Sequence, residues 1–132
     1  MLAIWCFNRV IMIKNQNSKQ YDLEDRTYQF AKNCRDFVTK IPRTIANIED
    51  GKQLINSSGS IASNYIEANE SLSKKDFCMR IKICRKEAKE SRLWLRLIET
   101  GNSEELLKMQ KSLIQEAIEL TKIFNSIVVK SE

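Results

Sequence analysis

Histidine is absent from this 132-residue chain. That removes the usual general base near neutral pH and the commonest protein ligand for zinc and iron. Proline occurs once and glycine three times. A chain with so few turn-forming residues is expected to run in long helices with short connections. The four cysteines, Cys6, Cys34, Cys78 and Cys84, form no CxxC pair. Three of them fall within helical patterns, so they read as buried thiols of a reducing, cytoplasmic compartment rather than as a disulfide framework. No apolar run approaches the roughly 20 residues of a membrane span. The nearest, "MLAIWCFNRVIMI" at residues 1–13, is interrupted by Asn8 and Arg9. It also lacks the leading positive charge and small-residue cleavage site of a signal peptide.

What is present is ordinary for a soluble domain: 42% hydrophobic and 30% charged residues, enough apolar material to exclude a disordered chain. The length fits one domain. Residues 1–20 read either as an arm that packs on a neighbour or as a misassigned start. The second reading is preferred, because "MIKNQNSKQ" from Met12 is a typical polar lead-in to a first helix. This segment is expected to be poorly ordered, with a four-helix domain over residues 21–130.

Helix one is predicted from Asp22 to Lys40, with Asp22 as N-cap, Glu24 and Asp25 in the first turn, and Pro42 as the stop. Leu23, Phe30, Cys34, Phe37 and Val38, with Tyr28 nearby, form its apolar stripe. Helix two is predicted over Ile45 to Asn69. Leu54, Ser58, Ile61, Tyr65 and Ala68 repeat at helical spacing, and Ile55, Gly59, Ala62 and Ile66 form a second stripe beside them, predicting a broad buried arc. Helix three begins after Ser73, with Asp76 three residues on. Phe77, Ile81, Cys84, Ala88, Ser91, Leu95 and Ile98 hold a 3.5-residue repeat, and Gly101 ends it. Helix four follows Ser103, with Leu106, Met109, Leu113, Ala117, Leu120, Phe124 and Ile127 on its stripe. Together these predict an all-α, antiparallel, up-down-up-down four-helix bundle.

The serine-rich run "SSGSIAS" at residues 57–63 sits inside helix two despite poor helix propensity. It is expected to be a thin wall that lets neighbouring helices approach closely. On that expectation Gly59→Leu or Ala62→Leu overpacks the bundle by about 1–3 kcal/mol.

Helix three divides into three sectors. With Phe77 set at zero and about 100° per residue, the heptad residues cluster near zero. Lys82, Arg85, Lys86, Lys89, Arg92 and Arg96, with Lys74 and Lys75, fall on one flank. Met79, Ile83, Glu87, Glu90, Trp94 and Leu97 fall on the other. Residues 73–98 carry nine Lys or Arg and three acids, while the whole chain is +5. The basic flank is the candidate phosphate-contacting surface, or else simply a solvated face. It carries no interleaved aromatic, which argues against base stacking. The opposite flank, with Trp94 as its anchor, is the candidate subunit interface, unless the N-terminal arm or an adjacent helix covers it.

Other chemistries find no support. Glu67 with Glu70, and Glu87 with Glu90, have the spacing of carboxylate pairs on helices. A di-metal bundle also needs Glu-x-x-His, so no metal and no other cofactor is expected. The serines have no His or Asp partner set for nucleophilic work, and "GSIASN" lacks the Gly-Lys-Ser of a phosphate loop. No catalytic residues are assigned, and the chain is expected not to be an enzyme.

Three segments carry a family resemblance: "YDLEDRTYQFAKNCRDF" (21–37), "GKQLINSSGSIASNYIEANESLSKKDF" (51–77) and "IKICRKEAKESRLWLRLI" (81–98). With them come Asn64–Tyr65, Glu67–Ala68, the run from Ser73 to Phe77, Lys86–Glu87–Ala88 and Trp94–Leu95. The chain resembles the four-helix-bundle family often encoded within intervening sequences of bacterial 23S ribosomal RNA genes. The resemblance covers about residues 21–130 and leaves residues 1–11 outside the family's usual start. It implies a homo-oligomer, a pentameric ring, and a family of largely unknown biochemical role. A similar protein is the accessory subunit of diversity-generating retroelements, a basic pentameric barrel that associates with reverse transcriptase and nucleic acid. Two functions therefore stand open: a non-enzymatic oligomer binding RNA or DNA through the basic flank, or a protein-interaction scaffold for a neighbouring gene product such as a reverse transcriptase.

Overall fold

The computed structural model describes residues 22–132. The expectations for the N-terminal arm, for a start at Met12 and for Cys6 lie outside the described residues. Four helices follow one another: α1 (Leu23–Lys40), α2 (Ile45–Asn69), α3 (Lys74–Leu97) and α4 (Glu104–Ser131). Each packs on the next, and α1 closes the bundle against α4 through a thinner seam.

Every helix start is fixed by a side chain that takes one of the orphan N–H groups of the first turn. Asp22 accepts from the backbone of Asp25, Thr44 from Asn47, Ser73 from Asp76 and Ser103 from Leu106, at 2.7–3.1 Å. The Thr44 cap is an addition to the sequence reading. Pro42 lies just beyond the end of α1, and Gly101, at φ +68°, turns the chain from α3 into α4. That backbone region is one a side chain disfavours.

The heptad stripe of α3 is buried along its whole length, from Phe77 to Ile98. Opposite it lie Phe30 and Phe37 of α1, Leu54, Ile61 and Tyr65 of α2, and Leu120 and Phe124 of α4. Tyr65 and Phe124 meet across the bundle axis with ring centroids 6.0 Å apart and planes tilted by 54°. That geometry is favoured by aromatic quadrupoles. Each such side chain contributes about 1.5–3 kcal/mol of burial.

Two predicted stripes come out narrower than expected. Ile55, Gly59 and Ala62 are only half-buried and Ile66 is exposed, Gly59 meeting the guanidinium end of Arg35 and Ile55 an open cleft beside Val38. Tyr28 is exposed as well, with the Lys32 ammonium 5.8 Å from its ring centre.

Within the serine run the thin wall is at Ser57 and Ser58, while Gly59, Ser60 and Ala62 are half-buried and Ser63 is exposed. Ser57 and Ser58 are buried, and the hydroxyl oxygens of Ser57 and Ser91 lie 2.8 Å apart between α2 and α3. Both Ser57 and Ser58 also bond back to their own helix, to the carbonyls of Leu54 and Ile55. A Cβ on Gly51 would lie 3.0 Å from Val38 of α1. A Cβ on Gly59 would meet only the guanidinium end of Arg35, at 3.3 Å. Close approach therefore depends on Gly51, Ser57 and Ser58. At Gly59 a single Cβ is accommodated once the flexible arginine tip swings away.

One end of the bundle is stitched by two amides. Asn47, buried at the start of α2, donates from Nδ2 to the carbonyls of Pro42 (2.9 Å) and Glu99 (2.8 Å). Its Oδ1 accepts from the Glu99 backbone at 3.0 Å. Gln110 donates from Nε2 to the carbonyls of Leu95 (2.7 Å) and Ile98 (2.8 Å). These bonds satisfy the open carbonyl end of α3, which would otherwise lack partners.

Candidate nucleic-acid interface

The rotation of α3 is set by its buried heptad, and that rotation decides where its charges go. One flank faces α2. There Ser91 meets Ser57, and Arg80 donates from Nη1 to Asn64 Oδ1 at 3.0 Å. The other flank faces α4. There Arg85 donates to Asn125 Oδ1 at 2.8 Å, Lys82 pairs with the Glu132 side chain at 3.1 Å, and the Cys78 thiol donates to the Ser131 carbonyl at 3.5 Å. The acids of α3, Asp76, Glu87 and Glu90, lie toward the α2 side by helical phase. The charge of the helix is thus split lengthwise, with the cations beside α4.

The six basic residues named from sequence do form one strip, though they are not equivalent. Lys82 is engaged by Glu132, and Arg85 is half-buried against Asn125. Lys86 reaches Glu90 only at 4.0 Å, a separation at which an exposed pair contributes little. Lys89, Arg92 and Arg96 are exposed and have no ion-pair partner among the described residues. Arg80, counted in the sequence among the cations of this helix, is turned away toward α2. Helical phase already sets it about 60° from Phe77 on that side, and its partner there, Asn64, is sixteen residues distant in the chain.

The nearest acids of α4 are held on its far side. Arg26 of α1 donates from Nε to Glu116 at 2.8 Å and from Nη2 to Glu119 at 2.9 Å. The hydrogen bond to Glu116 raises the Arg26 pKa above the ordinary arginine value, against a smaller opposing effect of burial. This half-exposed network closes the α1–α4 seam and leaves those two carboxylates pointing away from the basic strip.

The candidate subunit interface is partly covered by α2. Ile83, Glu87, Glu90 and Trp94 are half-buried, and Trp94 packs against the core. Met79 and Leu97 stay 49% exposed at opposite ends of the flank. What remains accessible is a broken apolar strip rather than a continuous patch.

Among the described residues no three His, Cys, Asp or Glu side chains stand close enough to hold a metal. No described helix is long and apolar enough to cross a membrane. A shallow cleft of about 190 Å³ opens beside Val38, Ile41, Pro42, Asn47 and Ile48. Its walls are largely aliphatic, and Asn47 is occupied by the bonds described above. Burial pushes the thiols of Cys34 and Cys84 up to about 12, against the coulombic effect of Arg35 on Cys34 and Arg80 on Cys84. They are therefore packing residues and not nucleophiles. Cys78 is half-buried.

Residues 19–126 match the family model described as 23S rRNA-intervening sequence protein. Among solved structures, the chain is similar to a protein of unknown function from the S23 ribosomal protein family of Bacteroides thetaiotaomicron VPI-5482. The two are 26% identical, with 80% of this chain and 96% of the other covered and a TM-score of 0.66. No curated protein matches. The matched region takes in all of α1, α2 and α3 and most of α4, and this chain belongs to the 23S rRNA-intervening sequence protein family.

Proposed function

We propose that this protein is a non-enzymatic nucleic-acid-binding subunit that contacts RNA or DNA backbone through the basic flank of α3. The observation that carries this reading is the lengthwise separation of charge. Lys86, Lys89, Arg92 and Arg96 are exposed along one rigid helix; only Lys86 has an acid within reach, Glu90 at 4.0 Å, and Glu116 and Glu119 are engaged by Arg26. A strip of this kind attracts phosphate by charge and spacing, without reading base identity. Fluorescence anisotropy at low salt with structured RNA and duplex DNA tests it. Binding should fall steeply with salt, with a log–log slope of roughly −4.5 to −5.5 on duplex DNA for five or six phosphates. Charge removal at Lys89, Arg92 and Arg96 should flatten that slope by about 3. Absence of binding at low salt refutes the reading.

The half-exposed flank of α3 supports a second, compatible reading. Met79, Trp94 and Leu97, flanked by Glu87 and Glu90, offer an apolar strip for another copy of the chain, in a ring of the pentameric kind, or for a neighbouring gene product such as a reverse transcriptase. Light scattering on the purified protein tests the first option, since a particle of one 15.4 kDa chain excludes it. Co-purification from the native host tests the second.

A further inference from the structure

The basic strip does not stop at α3. Lys111 and Lys122 of α4 are both exposed, and the eleven-residue step from one to the other brings them to nearly the same angular position, about 16 Å apart along the helix. The side of α4 next to them is fixed by its bonds to α3: Gln110 to Leu95 and Ile98, and Asn125 to Arg85. Lys111 directly follows Gln110, and Lys122 lies one turn before Asn125. The other α4 residues on this arc, Ile114, Ile118 and Thr121, are uncharged. Glu116 and Glu119 are turned to Arg26 on the opposite side. The outer face of the α3–α4 pair therefore presents two roughly parallel rows of cations. The α3 row runs about 21 Å from Lys82 to Arg96. Packed helix axes lie about 8–10 Å apart. The acids of this face lie at its two ends: Glu132, already paired with Lys82, and Glu104, exposed and in helical phase with Lys111 and Lys122.

Two rows at that separation are more than a single strand can use. A lone backbone tracks one line of charge and gains most from bases stacked on aromatic side chains. The α3 row carries none. A double helix presents two backbones across a groove, about 12 Å apart for the major groove of B-DNA. Side chains reaching outward from two packed helices match that spacing. Resting on the nucleic-acid reading above, we infer that the ligand is a double-stranded nucleic acid straddled across one groove. Lys89, Arg92 and Arg96 of α3 meet one backbone, and Lys111 and Lys122 of α4 meet the other.

The test compares a duplex DNA, a duplex RNA and a single strand, each about 20 nucleotides or base pairs long, over a salt series. It uses the full chain and its K111Q/K122Q and K111R/K122R variants. Both positions are exposed, and unchanged circular dichroism and melting temperature confirm that the variants fold. The expected result is tighter binding of at least one duplex than of the single strand. K111Q/K122Q should flatten the duplex salt slope by about 2 and leave single-strand binding unchanged, while K111R/K122R should retain the slope. The duplex that binds more tightly distinguishes RNA from DNA as the source of the backbone. Equal affinity for single strand and duplex, or an unchanged duplex slope in K111Q/K122Q, overturns this inference and leaves the basic strip of α3 standing. No binding to any of the three overturns both.

Discussion

Asn47 offers the sharpest test of how this bundle is held. It is 1% exposed, and its side chain makes three hydrogen bonds that join the start of α2 to the Pro42 turn and to Glu99, just past the end of α3. Asn47→Ala removes all three and leaves two carbonyls and one N–H without their partner. At about 0.5–1.5 kcal/mol for each net bond, the expected loss is about 3 kcal/mol. With a urea slope of about 1.5 kcal/mol/M, the unfolding midpoint falls by about 2 M. Asn47→Asp separates donor from acceptor. It keeps an oxygen facing the Glu99 N–H but sets a second carboxylate oxygen against two carbonyls. That repulsion disfavours the charged form in the fold, so the new carboxyl should titrate above its unfolded value. Its protonated form can donate one of the lost bonds. Stability of Asn47→Asp should therefore be greatest at low pH and decline as pH rises through the raised value, measured relative to Asn47→Ala at each pH. Chemical denaturation at several pH values checks both variants. If Asn47→Ala lies within about 0.5 kcal/mol of the parent, or Asn47→Asp matches the parent at pH 7, the stitching argument is wrong.

Three further outcomes follow from the packing. Ser57→Ala and Ser91→Ala should each cost about 1 kcal/mol, and the double variant should lose less than their sum, because either single change already removes the shared bond; strict additivity in denaturation midpoints counts against a direct Ser57–Ser91 bond. Gly59→Ala should raise stability by about 0.5–1 kcal/mol, since the new Cβ meets only the movable end of Arg35 while the helix gains a better former; a lowered melting temperature refutes this. Cys34 and Cys84 should resist thiol reagents at neutral pH until the protein unfolds, whereas Cys78 reacts in the folded state. Because burial raises the first two thiols from 9.0 to about 12, the unfolded chain ionises them first, so stability is full below about pH 9 and declines as pH rises toward 12.

The amino-acid sequence alone determined the four helices, their starts after Asp22, Ser73 and Ser103, the stop at Gly101 and the buried heptad of α3. These are local properties: capping chemistry acts over three residues, and a helical stripe is visible in a single segment. Helical phase also grouped Lys82 to Arg96 on one flank. What phase could not supply is what each flank meets. Asn64 receives Arg80 on the α2 side where phase already placed it, Asn125 and Glu132 engage Arg85 and Lys82, and Arg26 holds Glu116 and Glu119 away from the strip. Those partners lie sixteen to ninety-three residues apart in the chain. The second stripe of α2 failed for the same reason. Its spacing was helical, but only the positions of α1 and α3 decided that Gly51 meets Val38, that Ser57 meets Ser91 and that Ile66 stays exposed. Lys111 and Lys122 were unremarkable in sequence, two lysines on an amphipathic helix, until the packing of α4 on α3 set them beside the basic flank. Periodicity fixes which residues share a face of one helix. Only the rotation and pairing of helices, set by the burial of their stripes against each other, determines which faces of different helices become one surface.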